Sequence, residues 1–351
     1  MNKIVYISER EQLDNNLINM EYALESVKRC FDIMRADDYI MSGSNGNSHG
    51  NRLWGKGLAK KNLFISMPAY LGGEYGCFGI KWHGPNRHID GKINETNYIL
   101  IINDGQTGEP KAIIPAGMLT VYRTAAVSAY ATEILHNKPI ETLGIIGPGK
   151  INKAYTKWVI NNYPELKMIK IKGRGKGSIE SFVMEIKQHK PMLELKVCES
   201  FEESVVNSDV VSINTGFEFH DVTEMPYIKG KWIKSGALLN CSAFVKLSDS
   251  FIKGKAYVVA DNYEMYESYA HELGYPVYNH LSFLGNRYVD LVHTGQLLRE
   301  HIYDLKNIKE NYDTELPILF ASGGMAIEDI AVGYDIYKRA LDSNIGTYLD
   351  C

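Results

Sequence analysis

The sequence predicts an α/β protein in which a doubly wound parallel sheet is joined to a smaller α+β module. Three observations predict it. The first is the stretch 141–160, ETLGIIGPGKINKAYTKWVI. There an apolar run, Leu143 to Ile146, passes through Gly147-Pro148-Gly149 into residues of helical spacing, with Ile151, Ala154, Tyr155 and Trp158 on one face. The second is the alternation of strand-like and helix-like segments that continues to residue 315. The third is the different rhythm of residues 1–115, where short apolar runs are separated by turn signals, as in an antiparallel or mixed sheet.

Taken in order, residues 3–7 read as a short strand. Residues 20–34 read as an amphipathic helix with Ala23, Val27, Cys30, Phe31 and Met34 on one side. Residues 39–61 are polar and glycine-rich, which suits a long loop or hairpin. Strands are expected at 62–69, 77–83 and 98–103, and Asp104-Gly105 signals a hairpin to a return strand at 111–115. Residues 118–135 form an expected helix with Thr120 as N-cap and Arg123 in its first turn. Strands at 143–146, 168–171, 195–197, 210–213, 237–240 and 257–259 then alternate with helices at 151–161, 179–188 and 201–207. A last helix follows Ser322-Gly323-Gly324, with Ile327, Ile330, Tyr334, Ile336 and Tyr337 inward. Its first turn holds Glu328 and Asp329, where the helix dipole stabilises acids; one of them could equally meet a cofactor or an ammonium.

Composition narrows the function classes. A chain of 351 residues that is 45% hydrophobic and 23% charged buries an ordinary globular core in one or two domains. A net charge of −4 provides no footprint for nucleic acid or an anionic membrane. There is no 18-residue apolar run, and the start MNKIVYISEREQL has no apolar signal core, so a cytoplasmic protein is expected. Five cysteines without a CxxC pair read as reduced thiols, and ten histidines without HExxH spacing leave no metal expected.

The chemistry-bearing residues fall in three places. A strand, a glycine turn and a helix N-terminus at Gly147, Gly149, Lys150 and Ile151 make a site for the pyrophosphate of a dinucleotide, although Asn152 stands where a third glycine is usual. The end of the next strand, where an acid would bond the adenosine ribose, reads Lys172-Gly173-Arg174-Gly175-Lys176-Gly177-Ser178. Three cations and a hydroxyl there favour NADP(H) over NAD(H); the alternative is a solvated basic turn that touches nothing. Lys81 lies between Ile80 and Trp82 in an apolar strand. It is either an edge lysine reaching water or an ammonium facing a pocket, fit to bind a carboxylate or to do acid–base work. Arg123, a cation near a helix N-terminus, is either a surface residue or a bidentate grip on a carboxylate.

Four blocks, SMPAYLGGEYGCFGIKW at 66–82, LTVYRTAAVSAYATEIL at 119–135, LGIIGPGKINKA at 143–154 and GGMAIEDIAVGYDIYKRALDSNIGT at 323–347, resemble the ornithine cyclodeaminase/mu-crystallin family. Within it the wording is most similar to the siderophore-pathway N-(2-amino-2-carboxyethyl)-L-glutamate dehydrogenase branch. The resemblance implies a homodimer with a Rossmann-type domain at 121–315 and a substrate and dimerisation domain at 1–120 completed by 316–351. It implies an NAD(P)-dependent dehydrogenase that acts on an amino-acid substrate through an imine; cyclodeaminase and NADPH-dependent imine reductase are the alternatives. Lys81 and Arg123 fall on the family's acid–base and carboxylate positions, Arg52 matches a further carboxylate-binding arginine, and Met67 joins the candidate substrate set. Asp329 is a candidate catalytic acid, and Asp329 or Asp261 is expected near the nicotinamide end or the substrate ammonium. The candidate cofactor site further takes in Thr124, Asn214, Thr215, Asn240, Ser242 and Asp261. The cyclodeaminases place a catalytic Asp shortly after an Asn near the fifth strand, and here Val245 occupies that position.

Overall fold

The computed structural model describes residues 3–56, 63–84, 87–89, 92–94, 98–215, 225–308 and 315–350. The chain divides into two compact units, Met1–Ala126 with Gly324–Cys351, and Val127–Gly323. Asn62, the 57–61 end of the glycine-rich stretch and Cys351 lie outside the described residues.

The first unit is built on a sheet of eight strands among the described residues. Its order is Thr347–Asp350, Lys3–Tyr6, Pro110–Pro115, Tyr98–Asp104, Cys77–His83, Leu63–Leu71 and Tyr39–Met41, with Asn51–Trp54 also paired to Leu63–Leu71. Lys3–Tyr6 runs parallel to Pro110–Pro115, and the other neighbours are antiparallel. The sheet is therefore mixed, and it draws on both ends of the chain. Strict alternation of buried and part-exposed residues along Leu63–Leu71 shows that one face is covered. The helix Ala326–Asp342 lies on that face and packs against the helix Met20–Arg35. A Cβ on Gly79 would come within 2.8 Å of Ile330, so glycine in the strand lets the helix approach.

Two local readings change. The 39–61 stretch is not all loop, because Tyr39–Met41 and Asn51–Trp54 pair along Leu63–Leu71. Its polar, glycine-rich composition hides strands of three and four residues from a period-2 search. The helix read from residue 118 spans Gly117–Leu135, so Thr120 lies inside it and Arg123 is in its second turn. The N-terminal N–H of Met118 is satisfied from far away in sequence, by Glu9 Oε2 at 3.1 Å.

The second unit is a parallel sheet in the order Glu194–Val197, Met168–Lys172, Thr142–Ile146, Val210–Ile213, Leu238–Cys241, Ile318–Ala321, Tyr257–Ala260 and Ile302–Asp304. Every pairing is parallel. From Thr142–Ile146 the chain adds strands first to one side and then to the other, which is the doubly wound α/β arrangement. Val210–Ile213, Leu238–Cys241, Tyr257–Ala260 and Ile318–Ala321 are buried at every position, as their largely apolar composition requires, with Ser212 and Asn240 the polar residues among them. The sequence reading has no strand at Ile318–Ala321 and draws its domain line at 315/316. In the structure that strand sits between Leu238–Cys241 and Tyr257–Ala260, and the units part at Gly323/Gly324. No helix among the described residues is long and apolar enough to cross a membrane.

Candidate functional site

In the first unit, three separated segments place four charges together. Lys81 comes from the Cys77–His83 strand, Arg123 from the Gly117–Leu135 helix, and Glu328 and Asp329 from the first turn of Ala326–Asp342. Lys81 Nζ donates to Asp329 Oδ2 at 2.5 Å, and Arg123 Nε donates to Asp329 Oδ1 at 2.9 Å. Arg123 Nη1 reaches Glu328 Oε2 at 3.2 Å, and the same oxygen accepts the Met325 N–H at 3.0 Å. Lys81 and Arg123 are 2% and 6% exposed, and both acids are fully buried, so neither cation is the surface residue that the sequence left open.

Burial sets the proton affinities here, and the opposite charges correct them. Desolvation lowers the Lys81 pKa to about 8 against the pull of Asp329. Burial raises the Asp329 carboxyl, but Arg123 and Lys81 outweigh it and hold it below the ordinary carboxylate value. Burial opposes the charge of Arg123, and Asp329 and Glu328 more than restore it. Nη2 of Arg123 has no hydrogen-bond partner among the described residues, which leaves a donor pair for an incoming carboxylate.

Strand register places the other candidates of this unit. Met67 is directly opposite Lys81, buried, and on the same face. Arg52 is opposite Ile65, which is opposite His83, so Arg52 shares the Lys81 face one row along. His49 contacts the carbonyl of Gly324 at 2.9 Å, beside the turn that carries Glu328 and Asp329. Neither His49 nor His83 was singled out from sequence, because a histidine in a short strand or loop has no periodic signature. Thr124 donates its hydroxyl to the Thr120 carbonyl at 2.7 Å, a bond within its own helix.

In the second unit, the glycine turn lies at the switch point between Thr142–Ile146 and Val210–Ile213. Gly147 has φ +87°, and a Cβ there would lie 2.1 Å from the Asn214 carbonyl, so the turn and the Asn214-Thr215 backbone require glycine. A Cβ on Gly149 would meet nothing within 4 Å. Gly149 is also the N-cap of Lys150–Asn162, and no side chain caps that helix. Open space over an uncapped helix N-terminus, bounded by Lys150 and Ile151, is what an incoming pyrophosphate needs. Asn152 has a clear structural role: its amide donates to the carbonyls of Ile146 and Gly147 at 3.2 and 2.8 Å and accepts from Ser212 at 2.6 Å. It ties strand, turn and neighbouring strand together where a third glycine would only make room.

The remaining candidates differ in kind. Lys176 and Ser178 are in the first turn of Lys176–His189, not in a loop. Lys172 donates to the Glu199 carbonyl at 2.8 Å, and Ser178 to the Gly175 carbonyl at 2.8 Å. Arg174 lies between them, after the end of Met168–Lys172. Asn240 and Ser242 reach the Ser128 carbonyl and hydroxyl at 3.0 and 3.3 Å. Asp261 is buried in the second unit and accepts from the N–H groups of Asn262 and Gly323 at 2.8 and 2.7 Å. Of the two acids expected to serve the substrate, Asp329 is the one joined to Lys81 and Arg123.

Comparison with known proteins finds relatives over most of the chain. A family model described as the ornithine cyclodeaminase/mu-crystallin family matches residues 25–344. The N-((2S)-2-amino-2-carboxyethyl)-L-glutamate dehydrogenase of Staphylococcus aureus (strain NCTC 8325 / PS 47) is 31% identical over 291 residues, covering 82% of this chain and 81% of that protein. An archaeal alanine dehydrogenase dimer with bound NAD matches with a TM-score of 0.78 at 21% identity over 99% of both chains. The Thermococcus litoralis Delta(1)-pyrroline-2-carboxylate reductase, in complex with NADH and L-proline, matches with a TM-score of 0.76 at 23% identity. It covers 99% of this chain and all of that one. At such identities the two structures speak for the fold.

Proposed function

The chain belongs to the ornithine cyclodeaminase/mu-crystallin family and is an NAD(P)-dependent oxidoreductase of carbon–nitrogen bonds, and from that premise we propose that it oxidises the Cα–N bond of N-(2-amino-2-carboxyethyl)-L-glutamate. The products are 2,3-diaminopropionate and 2-oxoglutarate. One water enters, and one hydride and one proton leave. The observation that carries this reading is the buried cluster of Lys81, Asp329 and Arg123, which offers a carboxylate grip and a base to the same ligand.

The nicotinamide cofactor, when bound, supplies the hydride acceptor. The open space at Gly149, the uncapped helix N-terminus and the close approach at Gly147 fit its pyrophosphate, with Lys150 and Ile151 at the rim. The Met168–Lys172 strand ends without an acid, and it is followed by Arg174 and, at the start of the next helix, by Lys176, which supports NADP(H) over NAD(H). Lys172, engaged with Glu199, adds less.

Arg123 holds the substrate carboxylate through its Nη2 pair. Lys81, with its pKa brought down to about 8, takes a proton from the substrate amine near neutral pH. Asp329 fixes Nζ in place and stabilises the ammonium that forms. Lys81 next polarises the water that adds across the C=N bond, and collapse of the adduct frees the amine. Val245, fully buried and without a titratable group, stands where the cyclodeaminases use an aspartate, which weighs against ammonia-eliminating cyclisation.

We also propose a homodimer through the uncovered face of the first unit's sheet. Phe78, Trp82 and Ile99 point away from the Lys81 face by strand alternation and are 48%, 39% and 42% exposed. Phe64 stacks on Trp82, and Tyr70 packs at a tilt on Phe78, with Pro68 and Ile80 between the two pairs, so the face is an apolar surface of the kind that a second copy covers.

The test is spectrophotometric turnover of the conjugate with NAD and NADP in parallel, with Lys81→Ala alongside. Reduction of one cofactor that is lost in the variant supports the reading. No reduction of either overturns the substrate, and full turnover by Lys81→Ala overturns the mechanism.

A further inference from the structure

His49 takes no part in the reaction above, yet the fold brings it to the charged cluster with little freedom. The segment before it is closed by a bridge between Ser42 and Ser48, in which the Ser48 N–H donates to the Ser42 carbonyl at 2.6 Å. The residue after it, Gly50, has φ +149° and lies close against the Leu63–Leu71 strand. A Cβ there would fall 2.5 Å from the Ser66 carbonyl and 2.9 Å from Met67 Cγ, so only glycine makes this approach. Met67 is directly opposite Lys81, so the chain carries His49 in beside that pair.

The His49 ring meets a single peptide group from one end. Its Nδ1 is 2.9 Å from the Gly324 carbonyl oxygen. Desolvation, followed by the charges of Arg52 and Lys81, holds the His49 pKa well below its ordinary value, so the ring is neutral and has one N–H. A carbonyl can only accept, so that hydrogen is on Nδ1 and His49 donates. The N–H of the same peptide is that of Met325, and it donates to Glu328 Oε2 at 3.0 Å. A peptide group is planar and turns as one body, so this one is clamped at both ends.

Arg123 leans on the same peptide. Gly324 has φ +79°, and a Cβ there would fall 2.4 Å from Nη1, 2.9 Å from Nη2 and 3.1 Å from Cζ of Arg123. The guanidinium therefore lies directly against the glycine. Glu328 closes the circuit, because the oxygen that accepts the Met325 N–H also accepts Arg123 Nη1 at 3.2 Å. Were the carbonyl end released, the plane could tilt and take the wall beside Nη2 and the partner of Glu328 with it.

We infer that His49 is a positioning residue for the reaction: by donating to the Gly324 carbonyl it fixes the peptide against which Arg123 rests, and so aims the guanidinium at the substrate carboxylate. This rests on the oxidoreductase reading above and adds to it a residue that acts through Arg123 and not on the substrate.

The experiment compares His49→Asn with His49→Gln in the whole protein. The Asn amide N–H lies near the place of Nδ1, whereas the Gln amide reaches the place of Nε2. Two readouts are taken: calorimetric titration by 2-oxoglutarate with saturating nicotinamide cofactor, and kcat and KM for the conjugate. His49→Gln should weaken 2-oxoglutarate and raise KM by about fivefold or more, the scale of one buried hydrogen bond. Its kcat should stay within about twofold, since the lost grip is felt before and during reaction alike. His49→Asn should return affinity and KM to within about twofold of the wild type, a rescue that loss of general packing would not give. The inference is overturned if both variants bind like the wild type, if both are equally weak, or if the wild type does not bind 2-oxoglutarate. Weak binding in His49→Gln and recovery in His49→Asn, with no oxidation of the conjugate, would uphold the role of His49 and sink the proposed substrate.

Discussion

Asp329→Asn separates the charge of the cluster from its shape. In the structure, the Asp329 carboxylate accepts from Lys81 at 2.5 Å and from Arg123 at 2.9 Å, and all three side chains are buried. Asparagine keeps the volume and leaves two cations facing Glu328 alone. Removing one partner of a buried ion pair costs roughly 3–5 kcal/mol when the other charge has no escape. Here Lys81 can release its proton. Its pKa is already down to about 8, and neutralising it costs roughly 1.4 kcal/mol for each pH unit below that value. Loss of the Asp329 charge lowers that pKa further, so the expected destabilisation at neutral pH is about 1–2 kcal/mol. Between the variant's lower value and about 8, the folded wild type holds a proton that the folded variant lacks. The stability gap between them must therefore narrow as pH rises through that window. The limb of the kcat/KM profile that reports Lys81 must also move to lower pH, with a lower plateau. Denaturant unfolding at both ends of the window and rate profiles from about pH 6 to 10 measure these shifts. A limb unmoved in the variant, or a gap that widens with pH, would refute the coupling.

Three further outcomes follow from the geometry. Gly149→Ala adds a Cβ into space where no protein atom lies within 4 Å, so the melting temperature should hold while nicotinamide cofactor affinity, followed by fluorescence titration, falls. Asn152→Ala strips hydrogen bonds from Ile146, Gly147 and Ser212 in the interior, and denaturant unfolding should show a loss of roughly 1–3 kcal/mol. Phe78→Glu puts a charge on the outer face proposed for the dimer, and sedimentation should show a dimeric wild type and a monomeric variant; a dimer of unchanged affinity places the interface elsewhere.

How much was legible in the sequence depended on whether a residue's role is local. The glycine turn and the apolar strands around it are local patterns, and the second unit follows them from Thr142–Ile146 to Tyr257–Ala260. Ile318–Ala321 was missed because four apolar residues before a glycine pair resemble a loop end, and only sheet pairing makes them a strand. Thr120 looked like an N-cap because the true partner of that helix end, Glu9, is 109 residues away from Met118. Lys81 and Arg123 were visible as misplaced cations. That Asp329 joins them could not be read from spacing, since 206 residues separate it from Arg123. Arg52 joins the Lys81 face only through register, which no single strand contains.

Stability does not account for the charged cluster. Buried ion pairs are often matched or exceeded in stability by apolar residues of similar volume, because desolvation offsets the Coulomb gain. A fold that needed only to seat Ala326–Asp342 on the sheet could do so with apolar residues, as it does where Ile330 meets Gly79. Replacing both members together, Lys81→Met with Asp329→Leu, leaves Arg123 paired with Glu328 and no lone charge. The double variant should unfold within about 1 kcal/mol of the wild type, or later, and should have lost turnover. Asp329→Asn alone should be the less stable of the two at neutral pH. If the double variant instead fails to fold while Asp329→Asn folds well, the cluster is a structural lock, and the proton chemistry assigned to Lys81 loses its main support.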